Sequence, residues 1–292
     1  MTHWQTTRYL IDLGRPRIMG IVNVAPDSFS GDGQPADLRA RVAHCERLIG
    51  QGADILDIGG ESTRPGSQPV PLDEELARVL PLVRQAVKLG VPVSVDTYKP
   101  EVMAAVLDAG ADIVNDIWAL RRVSATDPAL TALGVIARHP ACGVCLMHMH
   151  GDPRTMQLAP MTGDAVPQVL SFLEHAARTL QVMGVDKNRI VLDPGIGFGK
   201  TVAQNFALLA RQRELLAAGY PLLAGWSRKS ALGAALGDRG QPEERVAASV
   251  AAALLAIERG ARIVRVHDVA ATVQAVKIWL ASNYSEPAFR PV

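Results

Sequence analysis

Aromatic residues, cysteine, net charge and long hydrophobic runs are all scarce in this sequence. Phe, Trp and Tyr make up 4% of the 292 residues while hydrophobic residues make up 48%, so a core would consist mainly of Ala, Val, Leu and Ile. Three cysteines do not form a disulfide framework in a chain of this length, which favours a reducing cytoplasm. The formal net charge is +1 and no basic block stands out, which argues against nucleic acid or a charged membrane as the main partner.

The sequence also lacks a segment that predicts membrane insertion or export. The longest apolar run, 246–257, is Ala-rich and too short to span a bilayer. No apolar stretch followed by a cleavage site is apparent near the start, so we expect no signal peptide.

A repeated pattern is present instead, in which a short apolar run ends on polar residues. The stretch 52–66, GADILDIGGESTRPG, shows it best: a buried-strand pattern is followed by two glycines and a polar loop. Eight runs of this kind occur in the order RIMGIVNV, ADILDI, VPVSVD, ADIVND, GVCLMHMH, RIVLD, PLLAGWS and ARIVRVHD. Helix-compatible segments lie between them, often ending just before a glycine, a C-cap signal: 37–49, 72–89 with Asp73 as N-cap, 100–108, 165–183, 202–218, 242–259 and 271–283.

Eight strands alternating with helices predict an α/β fold, a single (β/α)8 TIM barrel over residues 1–292. The alternative is a doubly wound open sheet. The count of eight and the polar end of every strand favour the barrel, because all eight carboxyl ends then share one mouth. Residues 1–16 would form a short N-terminal extension or hairpin, and 121–143 and 150–165 would be loops over the mouth or irregular outer segments.

Two motifs suggest sites that the pattern does not favour. Cys142, Cys145, His148 and His150 resemble a zinc motif, but strand side chains alternate, so Cys145 and His148 would face opposite sides. The stretch 195–201, GIGFGKT, resembles a phosphate loop, but both the Walker A and the dinucleotide-binding spacings fail. Its glycines are instead expected to let a turn pass close to a ligand, with the ring of Phe198 as a further contact.

Polar residues of three kinds would gather at the barrel mouth. The acids and amides are Asn23, Asp57, Asp96, Asn115, Asp116 and Asp193. The cations are Arg64, Arg228, Lys229, Arg265 and His267, and the hydroxyls are Ser62, Thr63, Ser227 and Ser230. Part of this set would be structural: Asp57 lies inside a strand, and Asp116 and Asp268 could cap the following helices.

Two groupings within this set indicate a ligand. Arg64, Arg265 and His267 come from separate strand ends, beside the oxygen ligand Asn23, and such cations with Mg²⁺ suit a diphosphate-type substrate. Carboxylate, amide and ammonium groups also converge through Asp96, Asn115, Asp193 and Lys229. That set is compatible with a planar heterocycle carrying an aminopyrimidinone edge, although the residues alone do not single it out.

The motifs together resemble the dihydropteroate synthase family. They run in the family's order from Met19 to Val269 as MGIVNVAPDSFSGDG, GADILDIGGESTRPG, SVDTYKPEV, IVNDI, CLMHMHGDPRTMQ, LDPGIGFGKT, GWSRKS and RVHDV. The resemblance implies a (β/α)8 barrel with mobile loops after the first two strands, usually a homodimer, acting in folate biosynthesis. It implies transfer of the 7,8-dihydropterin-6-ylmethyl group from its diphosphate to 4-aminobenzoate, by an SN1-like path with Mg²⁺ as cofactor.

The resemblance also implies roles for individual residues. The pterin would be held by Asp96, Asn115, Asp193 and Lys229, with Met147 lining its pocket. Arg265 would stack on the pterin and reach phosphate, and Asn23 would bind Mg²⁺. The diphosphate would meet Thr63, Arg64 and His267, and the aminobenzoate site would be shaped by Phe29, Pro65 and Ser230. Asp96, Lys229, Arg64 and His267 would carry the chemistry.

Three positions depart from the family pattern: Ala25 replaces the usual Thr, Gly31-Asp32 interrupts the usual Ser-Asp-Gly-Gly, and Trp226 stands where a smaller residue is expected. The first two could alter loop closure, and Trp226 could narrow a pocket wall or pack outward. Two other functions stay open, a pterin-dependent methyltransferase and a non-catalytic pterin-binding paralogue. The joint presence of STRPG, SRKS and RVHDV argues against the methyltransferase, and the altered first loop is the only hint of the paralogue.

Overall fold

Eight parallel strands close into a barrel in the computed structural model, which describes residues 2–24, 35–62, 66–237 and 241–283. An antiparallel hairpin comes first, formed by β1 (His3–Gln5) and β2 (Leu10–Asp12). The barrel strands are β3 (Arg17–Asn23), β4 (Ile55–Gly59), β5 (Val93–Asp96), β6 (Ile113–Asp116), β7 (Gly143–Met147), β8 (Ile190–Asp193), β9 (Leu222–Ala224) and β10 (Ala261–Val266). Because β10 pairs with both β9 and β3, the sheet is closed, and the predicted TIM barrel is confirmed over the open sheet.

Helices surround the barrel in the described part of the chain. They are α1 (Pro35–Gly50), α2 (Leu72–Ala86), α3 (Pro100–Asp108), α4 (Ala132–Arg138), α5 (Ala165–Val182), α6 (Val202–Ala210), α7 (Gln212–Leu215), α8 (Ser230–Ala235), α9 (Val246–Glu258) and α10 (Val269–Asn283). Short 3-10 turns occur at Lys187–Arg189, Leu216–Ala218 and Pro242–Arg245. No helix in these segments is long and apolar enough to cross a membrane.

Several predicted helix boundaries differ from the structure. The segment 202–218 is not one helix, because the backbone leaves the helical conformation at Arg211 (φ −106°, ψ 17°) between α6 and α7. Asp73 is not an N-cap, because α2 begins one residue earlier after Pro71 and Asp73 belongs to its first turn. The segments containing α4 and α8 were not predicted as helices. The expected glycine C-cap does occur at Gly219, where φ is +75°.

The N-terminal hairpin closes the bottom of the barrel. Trp4 and Ile11 pack against the inward-facing side chains of Met19 and Ile55, and Trp4 is fully buried. The Trp4 indole Nε1 donates a hydrogen bond of 2.9 Å to the carbonyl oxygen of Arg189. The lower barrel is therefore apolar and plugged, which leaves the carboxyl ends of the strands as the polar end.

The cysteines follow the predicted alternation of the strand. Cys145 belongs to the buried cluster inside the barrel, whereas Cys142 packs in the layer between strands and helices. His148 packs edge-on against the ring of Phe172, with 4.9 Å between centroids. In the described residues no three His, Cys, Asp or Glu side chains form a group that could hold a metal ion.

Candidate active site

A cavity of about 670 Å³ opens at the carboxyl ends of the barrel strands. Ten of the predicted site residues line it: Asn23, Asp96, Asn115, Met147, Asp193, Phe198, Lys229, Ser230, Arg265 and His267. The other four, Phe29, Thr63, Arg64 and Pro65, lie outside the described residues, as do Ala25 and Gly31-Asp32.

Barrel register explains why these side chains meet. Asn23 is paired with Gly59, Gly59 with Asp96, and Asp96 with Asn115, so the ends of β3 to β6 reach the same height. Met147 and Asp193 are paired in the same way at the ends of β7 and β8. Alternate residues of a strand share one face, so each of these inward positions points into the mouth.

Arg265 joins two buried carboxylates inside the barrel. Its Nε lies 2.6 Å from Asp57 Oδ2 and one terminal nitrogen lies 2.7 Å from Asp96 Oδ2. Asp57 Oδ2 also accepts a hydrogen bond of 3.2 Å from the Asn115 amide. Asp57 is completely buried and does not line the cavity, so it is a supporting acid that orients Arg265 and Asn115.

Burial controls the ionisation of the site acids. It raises the pKa of Asp96 to about 7, even though the charge of Arg265 acts in the opposite direction and Asp57 adds to the rise. Burial would lower the pKa of Arg265, but the Asp57 and Asp96 carboxylates outweigh it and raise that pKa. The acid at the end of β5 therefore titrates near neutral pH, while Arg265 stays cationic.

Asp193 and Lys229 face the cavity from adjacent sides. Asp193 Oδ1 accepts a hydrogen bond of 2.7 Å from the backbone N–H of Gly195. Burial raises the pKa of Asp193, and the Gly195 N–H and the charge of Lys229 oppose that rise. The Lys229 ammonium lies 4.3 Å from the centroid of the Phe198 ring. A carboxylate acceptor and an ammonium donor can thus contact one planar ligand.

His267 is oriented by Ser227. The Ser227 hydroxyl lies 3.0 Å from His267 Nδ1 and accepts a hydrogen bond of 3.1 Å from the backbone N–H of His267. This pair fixes the imidazole at the end of β10, beside the cavity.

Two acids predicted as helix caps have other partners. Asp116 accepts hydrogen bonds from the backbone N–H groups of Trp118 and Leu120, at 2.8 and 2.6 Å, so it stabilises a turn and no helix begins there. Asp268 binds the Arg228 guanidinium at 2.8 and 3.1 Å. Arg228 thus lines the cavity wall while its charge is neutralised, because Asp268 and Glu243 both pair with it.

Trp226 packs outward. Its side chain is 1% exposed, belongs to the cluster between the strands and the helices, and lies 5.4 Å from the Phe206 ring between centroids. It is absent from the cavity wall, so it does not narrow the site.

Gly59 lies between Asn23 and Asp96 in the register of the barrel, and both of these side chains line the cavity. A Cβ on Gly59 would lie 3.6 Å from Asp96 Cβ and 4.0 Å from Asn23 Oδ1. The Asn23 side chain offers one neutral oxygen there. One protein oxygen fits Mg²⁺ that keeps water and substrate phosphate as its other ligands.

Several cavity residues carry no sequence signal for a site. Ile21, Ile117, Met156 and Ile196 supply apolar walls, and such residues look the same as core residues in a sequence. Glu61 also lines the cavity, and its carboxylate binds Lys99 at 2.5 Å and Tyr98 at 2.9 Å. These contacts tie the start of the second βα loop to the loop after β5.

Comparison with known proteins agrees with this geometry. The family model of pterin binding enzymes matches residues 19–267. The dihydropteroate synthase of Neisseria meningitidis serogroup B is 46% identical over 283 residues, covering 95% of this chain and 96% of that protein. The dihydropteroate synthase of Escherichia coli K12 is 45% identical over 270 residues, covering 92% of each.

The chain belongs to the dihydropteroate synthase family. It is therefore an enzyme, a transferase of folate biosynthesis that binds pterin. Solved structures of the family share its fold at high identity. Xanthomonas albilineans dihydropteroate synthase with 4-aminobenzoic acid has a TM-score of 0.85 and 50% identity, covering 94% of this chain and 95% of that one. Burkholderia cenocepacia dihydropteroate synthase complexed with 7,8-dihydropteroate has a TM-score of 0.84 and 48% identity, covering 96% of each.

Proposed function

We propose that this enzyme condenses 7,8-dihydropterin-6-ylmethyl diphosphate with 4-aminobenzoate to give 7,8-dihydropteroate and diphosphate. The observation that carries the proposal is the convergence of Asp96, Asn115, Asp193 and Lys229 on one cavity, with Arg265 and His267 beside them. The relatives named above, solved with 4-aminobenzoic acid and with 7,8-dihydropteroate, support the same substrate classes.

The pterin ring is assigned to the inner part of the cavity. Asp193 accepts from the ring N–H and its adjacent amino group, and Lys229 donates to the ring carbonyl. Met147 and Phe198, both buried, supply apolar contacts for the ring. Arg265 is held by Asp57 and Asp96 and presents its guanidinium plane to the ring and its edge to phosphate.

The diphosphate is assigned to the side where the cations lie. His267 and Arg265 stabilise the leaving group from β10, and Thr63 and Arg64 are proposed to do so from the second loop. Asn23 is proposed to hold Mg²⁺ together with diphosphate oxygens, and the ion would add positive charge where negative charge develops.

The mechanism proposed is SN1-like. The bond between the pterin methylene carbon and the diphosphate oxygen breaks, and the electron pair leaves on diphosphate. The ionised Asp96 stabilises the resulting cationic pterin. The neutral arylamine nitrogen of 4-aminobenzoate then attacks the methylene carbon, and its surplus proton is released to water or diphosphate. Ser230, with Phe29 and Pro65, is proposed to shape the aminobenzoate site, and the first two loops are proposed to keep water away from the cation.

Removal of Mg²⁺ by chelation is expected to weaken binding of the pterin diphosphate more than binding of the free hydroxymethyl pterin, because only the diphosphate supplies the remaining ligands. Calorimetric titration of both ligands, with and without chelator, measures the difference. Asn23→Ala should abolish most of it. Equal weakening of both ligands, or an unchanged difference in Asn23→Ala, would contradict the metal assignment.

A homodimer is proposed from the outer face of α9 and α10. Ala247, Ala251 and Leu255 lie one helical turn apart on α9 and are exposed, and Ile278 of α10 is 73% exposed. Two charged substitutions on this face, Ala251→Arg with Leu255→Arg, should convert a dimer into a monomer in light-scattering measurements. Val182→Arg, at an 83% exposed apolar site on α5, is the matched control. A wild-type monomer would contradict the proposal.

A cytoplasmic location is proposed too, because all three cysteines are buried and unpaired.

The overall reaction is tested by incubating the purified enzyme with pterin diphosphate, 4-aminobenzoate and Mg²⁺ and measuring dihydropteroate and diphosphate. Equal amounts of both products are expected. Well-folded protein that binds pterin but forms no dihydropteroate would favour the non-catalytic paralogue.

A further inference from the structure

Lys200 ends the loop between β8 and α6, residues 194–200, which we call the β8 loop. Its side chain is buried and 2% of the residue is exposed. The ammonium donates to three backbone carbonyl oxygens, those of Gly195 at 2.8 Å, Phe198 at 3.1 Å and His148 at 3.4 Å. Two of these belong to the β8 loop and the third follows β7, so one side chain ties the loop to the neighbouring strand end.

The glycines of the β8 loop allow this attachment. Gly195 and Gly199 have positive φ values of +68° and +67°. A Cβ on Gly195 would lie 1.9 Å from the carbonyl oxygen of His148, and one on Gly199 would lie 2.2 Å from that of His150. These two glycines let the loop pass close to the backbone after β7, while Gly197, the third glycine of the motif, lines the cavity.

The β8 loop touches two members of the proposed pterin set. The backbone N–H of Gly195 donates to Asp193, and the ring of Phe198 lies against the Lys229 ammonium. Gly197 faces the Lys229 stem, where a Cβ would lie 3.2 Å from Lys229 Cδ. A shift of this loop would therefore move both the acceptor and the donor proposed for the ring.

The charge of Lys200 has an unusual environment. Among the described residues its hydrogen-bond partners are carbonyl oxygens alone, with no carboxylate in contact. Burial lowers the pKa of Lys200 to about 7, Asp193 opposes that change and Lys229 adds to it. A buried ammonium among carbonyl dipoles occupies the kind of site that a monovalent cation would fill.

We propose that Lys200 is a positioning residue for the pterin site, whose ammonium anchors the β8 loop to the end of β7 and so holds Asp193 and Lys229 in place. The inference deepens the proposed function and rests on it. Lys200 is absent from the cavity wall, so its effect on the substrate passes through the loop.

The first test compares Lys200→Met with wild type in steady-state kinetics for each substrate, per amount of folded enzyme. The KM for pterin diphosphate should rise about 10-fold or more, since small displacements of positioning groups are costly, while the KM for 4-aminobenzoate should stay within about 2-fold. Lys187→Met is the matched control, because Lys187 lies over the Tyr220 ring at the opposite end of β8. Unchanged kinetics, or equal rises in both KM values, would overturn the proposal.

The second test asks whether the ammonium itself is required. Lys200→Ala removes a fragment equivalent to n-propylammonium, so added n-propylammonium should restore much of the lost pterin affinity, whereas n-propanol should not. Equal rescue of pterin affinity by the two additives, or no rescue by either of them, would show that the charge does not anchor the loop.

A third variant covers the case in which neither Lys200 variant folds. The exposed side chain of Gln157 donates a hydrogen bond of 2.7 Å to the carbonyl oxygen of Gly197. It therefore tethers the same loop without a buried charge. Gln157→Ala should raise the KM for pterin diphosphate selectively, by a smaller factor, and no change would overturn the positioning role of the loop. Wild-type protein without synthase activity would contradict the proposed function instead.

Discussion

Replacement of Lys229 by alanine is expected to lower kcat/KM for the pterin diphosphate by about 100-fold or more, as loss of one preorganised donor does in other enzymes. The ammonium lies in the cavity beside Phe198, and its charge acts on Asp193. The residue precedes α8, but its side chain makes no capping hydrogen bond, so the helix should persist. Initial rates, together with circular dichroism of the folded protein, measure both parts of the prediction.

Lys88→Ala is the control for the loss of one positive charge and one flexible side chain. Lys88 is exposed beyond the end of α2 and lies outside the cavity. Near-normal turnover by folded Lys229→Ala would contradict the assignment of Lys229 to the pterin site. The family resemblance predicts an effect of similar size for Arg64→Ala.

Replacement of Asp96 by asparagine is expected to lower kcat by about 100-fold, because the amide keeps the size of the side chain but cannot stabilise a cationic pterin. In wild type the pKa of Asp96 is raised to about 7 by burial, against the pull of Arg265. The ionised form is the active one, so kcat/KM should fall as pH decreases through about 7 and should level off above it. Asp96→Asn should lose this acidic limb along with its activity.

The control for the pH profile is Asp116→Asn. Asp116 is also fully buried, and burial raises its pKa to about 6, but its side chain binds backbone N–H groups of its own turn and does not line the cavity. The acidic limb should therefore persist in Asp116→Asn. A wild-type kcat/KM that stays constant between about pH 5 and 8 would contradict the role of the Asp96 charge.

The barrel and most of the site could be predicted because their signals are local. An apolar run with polar residues at its end identifies both a strand and the residues at its carboxyl end, as for Asp96 and Asp193. Parallel closure then brings these ends to one mouth without further information. The predicted site residues at strand ends, such as Asp96, Asn115 and Asp193, line the cavity for this reason, whereas Phe198, Lys229 and Ser230 are brought there by the segments that follow β8 and β9.

The errors concern helix boundaries and caps, which depend on backbone turns that a hydrophobic pattern does not show, such as the turn that Asp116 stabilises by binding the N–H groups of Trp118 and Leu120. The helical pattern of 202–218 is interrupted at Arg211, where the backbone leaves the helical conformation (φ −106°, ψ 17°). For Trp226 the sequence left a cavity wall and outward packing open, and the structure shows the outward alternative, with the ring against Phe206.

The sequence by itself determined the fold class, the number of barrel strands and the set of polar side chains at their ends. Tertiary structure alone decided how those side chains are paired: Arg265 bridges Asp57 and Asp96, residues 208 and 169 positions away along the chain. It also turned Lys200 from part of a weak glycine motif into a buried anchor between two strand ends. Hydrogen-bond partners and burial depend on register across the closed barrel, and a linear pattern of residue types does not encode that register directly.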